Sequence, residues 1–216
     1  MLVRVPPNPQ NRTMKPQTQS DRAEPMPGLR ERKKARTKAA IQREAVRLFR
    51  EQGYSATTVE QVAEAAEVAP STVFRYFATK QDLVFSTDYD LPFAKLFQAQ
   101  SPDLTPIQAE RETISSMLKD ISSQELALQR ERWVLILSEP ELWGASLGSI
   151  SRTMQVMSEE VAKRAGRSPS DASVRAYTGA VFGVMLQVSL EWANDPDMDF
   201  ATALDEALRC LENLRP

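Results

Sequence analysis

Apolar positions recur at helical spacing along most of this chain. Ile41, Ala45, Leu48 and Phe49 fall at i, i+4, i+7 and i+8, which lays one stripe of a helix against a core. Gly53 ends that helix. Val59, Val62, Ala63 and Ala66 mark a second, shorter helix, with Thr57 expected as its N-cap and Glu60 completing a capping box. Glu67-Val68-Ala69 interrupts the pattern, and Pro70 suits the first turn of a third helix, where its missing N–H is not needed. In that helix Val73 and Phe77 lie about 40° apart and face inward. Ser71, Thr72 and Arg75 cluster on the opposite side, flanked by Phe74 and Tyr76. Thr79 and Asp82 are expected to cap a following helix over 80–99. Two short helices joined across a three-residue break form a helix-turn-helix.

From there the pattern predicts helices near 106–121, 124–138, 140–165, 170–194 and 199–214, and no convincing strand. Pro102, Pro106, Pro140, Pro169 and Pro196 fall at the breaks. Val174, Tyr177, Val181, Val184 and Val188 form one stripe, while Phe182, Met185, Leu186 and Trp192 occupy other faces, so that helix is buried on more than one side. The last helix repeats Phe200, Leu204, Ala207, Leu208, Leu211 and Leu214. These two helices are expected to pair with their copies in a homodimer, through residues 170–194 and 199–214, with Gly179 and Gly183 permitting close approach. The expected fold is all-α. A disordered tail of six prolines over 1–28 leads into a helix-turn-helix domain at 29–85 and a helical dimerisation domain at 86–216.

Composition narrows the function. The chain has no histidine, which removes imidazole acid–base chemistry and His-ligated zinc. Its one cysteine, Cys210, forms no internal disulfide and is expected as a small core residue. No metal-ligand spacing or glycine-rich phosphate loop occurs, so neither an enzyme nor a cofactor is expected. No run approaches the roughly 20 apolar residues of a membrane span. The N-terminus has no signal-peptide core, and a cytoplasmic location is expected. The net charge of −2 hides an asymmetry. Residues 1–80 hold 15 basic and 8 acidic side chains, a balance of +7; residues 81–216 hold 12 and 21, a balance of −9. A basic front on an acidic body suits a polyanionic partner.

The third helix carries chemistry that suits duplex DNA. Hydroxyls of Ser71 and Thr72 can meet phosphates, Arg75 can fork onto guanine, and Phe74 and Tyr76 can meet thymine methyls or sugars. Lys80 is expected in the first turn of the next helix, where the helix dipole disfavours a cation and a phosphate contact would explain one. Arg30, Arg32, Lys33, Lys34 and Arg36 could add phosphate or minor-groove contacts. A purely protein-binding helical scaffold fits neither the basic front nor this asymmetric helix.

Over residues 33–85 the sequence resembles the TetR/AcrR family of transcriptional regulators. The resemblance is carried by Gly-Tyr at 53–54, Thr-Thr-Val at 57–59, Ser-Thr-Val-Phe-Arg-Tyr-Phe at 71–77 and Thr-Lys at 79–80. It implies a ligand-responsive regulator, a repressor that binds a near-palindromic operator as a homodimer. It also implies that Thr58 and Lys80 contact the DNA backbone and that Ser71, Thr72, Phe74, Arg75 and Tyr76 enter the groove. Two residues depart from the family pattern: Glu67 stands where many relatives have Gly, and Ala69 where they have Ser. The resemblance further implies a small-molecule effector inside the C-terminal helices. Phe93, Phe97, Trp133, Met154, Met157, Phe182 and Met185 are its candidate lining, and their apolar character suits a lipophilic effector such as a long acyl chain.

Overall fold

A computed structural model describes residues 28–85 and 90–213. Of the expected tail over 1–28, residues 1–27 lie outside the described residues, as does Leu214. Within them the chain is all-helical. α1 (Leu29–Gln52), α2 (Val59–Ala65) and α3 (Pro70–Tyr76) form the head, followed by a 3-10 turn at Gln81–Leu83. The body comprises α4 (Asp90–Ala99), α5 (Pro106–Lys119), α6 (Ser123–Ser138), α7 (Pro140–Ala165), α8 (Ala172–Asn194) and α9 (Phe200–Asn213).

Local chemistry sets these boundaries. Pro106 and Pro140 open α5 and α7 in the first turn, and Thr105 and Gln108 form a reciprocal capping box on α5. Gly166, left-handed at φ 62, closes α7; the Arg167 N–H reaches the Ala162 carbonyl at 2.9 Å. The expected helix over 80–99 is corrected: the chain makes only a short 3-10 turn, and α4 begins at Asp90. Thr79 and Asp82 do act as a reciprocal pair there. The Thr79 N–H donates to Asp82 Oδ2 at 2.8 Å and the Asp82 N–H to Thr79 Oγ1 at 3.2 Å.

The cap of α2 also differs from expectation. Thr58, not Thr57, is the N-cap, and its partner is Gln61, not Glu60. Thr57 is 1% exposed and donates its hydroxyl to the carbonyls of Gly53 and Leu48, tying the loop to the end of α1. Two adjacent threonines each had a capping partner three residues on, and burial of the first decided between them.

The head has its own core of Ile41, Ala45, Phe49, Tyr54, Val62, Val73, Phe77 and Leu83, but that core does not stop at the head. Leu135 and Ile136 of α6 and Leu142 of α7 belong to the same cluster. Arg50 pairs with Glu131, and Gln81 donates to Glu141 at 2.6 Å. Two further clusters fill the body: one joins α5, α7, α8 and α9, and the other gathers around Phe97 and Val174. The apolar stripe of α9 is consumed inside the protomer, with Leu204 and Leu208 nearly fully buried. Cys210 is exposed rather than a core residue, because its position falls on the side of α9 away from Leu204 and Leu208.

Candidate nucleic-acid interface and effector cavity

The turn between α2 and α3 aims the third helix. It is a Schellman motif: the Val68 N–H reaches the Ala63 carbonyl at 2.9 Å and the Glu67 N–H that of Glu64 at 3.0 Å. Such a turn needs a left-handed residue, and Glu67 takes that position at φ 54, the one positive-φ non-glycine among the described residues. α3 then starts at Pro70 behind Ala69, which supplies no side-chain cap.

Val73 and Phe77 anchor α3 in the core at 1% and 4% exposure, as their spacing predicted. Ser71, Phe74 and Arg75 are exposed, and Thr72 and Tyr76 are half-buried. Phe74 is 53% exposed, unusual for a large ring and consistent with a surface made to meet a partner. The Arg75 guanidinium lies 5.2 Å from the centre of the Tyr76 ring, which restricts where the arginine can point. Thr58 is exposed at the start of α2.

One feature of this surface was legible only in part. Arg30, Lys33 and Lys34, from the first turns of α1, share one concave surface of about 550 Å³ with Arg75 and Tyr76. The charge run showed that the N-terminus was basic; folding brings its cations beside α3. Lys80 is placed differently from expectation. It precedes the 3-10 turn, and its half-buried ammonium donates to the Tyr54 carbonyl while lying 4.2 Å from the Tyr54 ring centre. Burial holds its pKa below the ordinary lysine value. Burial and the nearby Glu141 push the Tyr54 hydroxyl up to about 12, so it stays protonated.

The body contains an apolar cavity of about 290 Å³. Of the expected lining, Phe93, Trp133, Met157 and Met185 face it; Phe97, Met154 and Phe182 are not among its walls. Phe97 is fully buried in a separate cluster, stacked on Phe93 with ring centres 5.6 Å apart. Sequence reasoning missed Trp192 and Phe200, whose rings pack at 4.5 Å, and the wall supplied by Ile114 and Met117 of α5 and by Ile121 just past its end. None of the sixteen lining residues carries a charge.

Two short helices crossing through a tight turn, the second projecting an arginine and rings beside a basic concavity, define a helix-turn-helix DNA-binding regulator. Residues 41–87 match the family described as bacterial regulatory proteins, tetR family, and residues 104–216 match the MftR C-terminal domain. The chain is 33% identical over 208 residues to the transcriptional regulator TcmR of Streptomyces glaucescens, covering 92% of each protein. Its fold is similar to that of NalD, the secondary repressor of the MexAB-OprM multidrug efflux pump in Pseudomonas aeruginosa. The TM-score is 0.57 at 21% identity, over 84% of this chain and 96% of that one. The fatty acid degradation regulator FadR from Bacillus halodurans aligns with a TM-score of 0.56 at 22% identity, over 82% and 99%. The chain belongs to the TetR family of transcriptional regulators. Among the described residues no helix is long and apolar enough to cross a membrane.

Proposed function

We propose that this regulator is a ligand-responsive repressor that binds a near-palindromic operator as a homodimer. Each protomer lays α3 in a major groove, and the two half-sites stand about 34–36 Å apart or a multiple of that. Arg75 reads a base, and Ser71, Thr72, Phe74 and Tyr76 contact phosphates, methyls and sugars around it. Thr58 meets the backbone from the start of α2. Lys80 has three N–H donors; one is used by the Tyr54 carbonyl and the others are offered to a phosphate. Arg30, Lys33 and Lys34 extend the positive surface. The observation that carries this reading is α3 itself, with Val73 and Phe77 buried and Arg75 and Phe74 exposed.

Dimerisation is proposed through α8 and α9. The exposed side of α8 presents Ala176, Ala180 and Gly183, and a Cβ added at Gly183 would meet nothing within 4 Å. The outward side of α9 is polar, with Thr202, Glu206 and Arg209, so α8 supplies the close contact.

The cavity is the proposed effector site, and its uncharged, aromatic walls suit a lipophilic molecule. α6 links that site to DNA, because it faces both ways. Leu126, Gln129 and Trp133 line the cavity, while Leu135 and Ile136 sit in the head's core. An effector that binds better when α6 is shifted moves the head with it and lowers the population competent for DNA.

Binding of the purified protein to its operator by gel shift tests the assignment. Arg75→Ala is expected to weaken cognate binding by about 1–3 kcal/mol and relax specificity at one base pair, with no change in melting temperature. Equal affinity of Arg75→Ala and the parent would remove α3 from the groove.

A further inference from the structure

Glu110 of α5 is fully buried, yet only one of its carboxyl oxygens is used. The Tyr177 hydroxyl donates to Oε2 at 2.7 Å, and Oε1 has no hydrogen-bond partner. One residue along α8, Thr178 is 1% exposed and its hydroxyl is also without a partner. A buried polar atom left unpaired is costly, so two on adjoining elements call for an explanation.

Their place in the fold supplies one. Glu110, Ile114 and Met117 share one face of α5, at i, i+4 and i+7, and Ile121 follows just past its end. The last three line the cavity. Thr178, Met185, Ser189 and Trp192 share one face of α8, and again the last three line the cavity. Both unpaired atoms therefore continue cavity-lining faces, one to two turns closer to the helix N-termini. Phe93 belongs to the cavity wall and also packs in the clusters that hold Tyr177.

We propose that Glu110, Tyr177 and Thr178 form the polar end of the effector site, and that the effector is a compact apolar molecule bearing one hydroxyl. The hydroxyl makes one hydrogen bond with Glu110 Oε1 and a second with the Thr178 hydroxyl, while Phe93 rotates to join the polar end to the cavity. This rests on the reading of the cavity as the effector site. A hydroxyl fits better than an ammonium because the walls carry no charge, and desolvating a cation along them is far more costly than desolvating an alcohol.

A matched pair of probes separates the two readings. Isothermal titration of the full-length protein with 2-naphthol and with 2-methylnaphthalene compares one ring body bearing either a hydroxyl or a methyl group. The parent is expected to bind 2-naphthol about tenfold more tightly. Glu110→Met should abolish that preference by weakening 2-naphthol alone. Thr178→Val, close to isosteric and safer for folding, should reduce it several-fold with 2-methylnaphthalene unchanged. Equal binding of both probes by the parent overturns the polar end and leaves the cavity reading standing, with the unpaired atoms holding trapped water. Binding of neither probe overturns both readings. A preference that survives in both variants overturns the assignment to these residues.

Discussion

In the head, buried polar groups are satisfied by short, specific contacts. Thr57 reaches two carbonyls at the end of α1, and the Gln42 amide reaches the Phe85 carbonyl at 3.1 Å. Among the described residues the head leaves no buried side-chain polar atom without a hydrogen bond. The body encloses a cavity and leaves Glu110 and Thr178 each with an unpaired atom. The contrast matches the two tasks proposed for these regions, reading DNA and sensing a ligand. A reading head must hold one rotamer set against a rigid duplex, so complete packing and pairing serve it. A sensor must leave something unfinished for a ligand to complete, and that costs stability.

The contrast can be tested first where the two regions meet. Leu142 lies in the body by position but is fully buried in the head's core. Leu142→Ala is expected to cost about 2–5 kcal/mol in urea unfolding and to weaken operator binding. Unchanged operator affinity in a variant this destabilised would show that the head is independent of α7.

The second test concerns the unfinished body. Burial raises the Glu110 carboxyl from an ordinary 4.5 to about 7, against the opposing hydrogen bond from Tyr177. The folded protein therefore keeps a proton that the unfolded chain releases. The associated stability is complete below the unfolded value of 4.5 and is lost as pH rises toward about 7. Glu110→Gln cannot ionise. Relative to the parent it should gain stability on the order of 3 kcal/mol across that window. Parallel melting-temperature profiles for the two proteins between pH 4 and pH 8, roughly the range spanned by these values, would contradict this.

The head is well finished but not optimal, and two smaller changes probe that. Ala69 gives α3 no capping hydroxyl; Ala69→Ser should add about 1 kcal/mol of stability by thermal melting. Glu67 holds a left-handed backbone that disfavours a side chain by about 1–2 kcal/mol, partly offset by glycine's greater unfolded-state entropy. Glu67→Gly should therefore stabilise by a few tenths to about 1 kcal/mol, with operator affinity unchanged. A loss of stability in Glu67→Gly would mean that the glutamate side chain contributes a contact of its own.

Much of the head could be read from residues alone. The Val73–Phe77 pair, the Gly53 stop and Pro70 at the start of α3 each follow from local geometry, because helix periodicity and backbone restriction act within a few residues. The cap of α2 was missed by one position because Thr57 and Thr58 look alike until burial separates them. The cavity was harder. Phe93, Trp133, Met157 and Met185 were recognisable as apolar, but so were Phe97 and Phe182. Which of them faces open space depends on how each helix is rotated against its neighbours.

What the sequence determined by itself is the helical order, the two anchored residues of α3 and the cationic outer face, since these depend on interactions between residues close in the chain. What only the tertiary structure decided is the convergence of distant parts. The α1 cations meet Arg75, α6 serves both the head's core and the cavity, and Glu110 lies buried against Tyr177. Those meetings depend on the relative rotation and docking of whole helices, which no short window of sequence specifies.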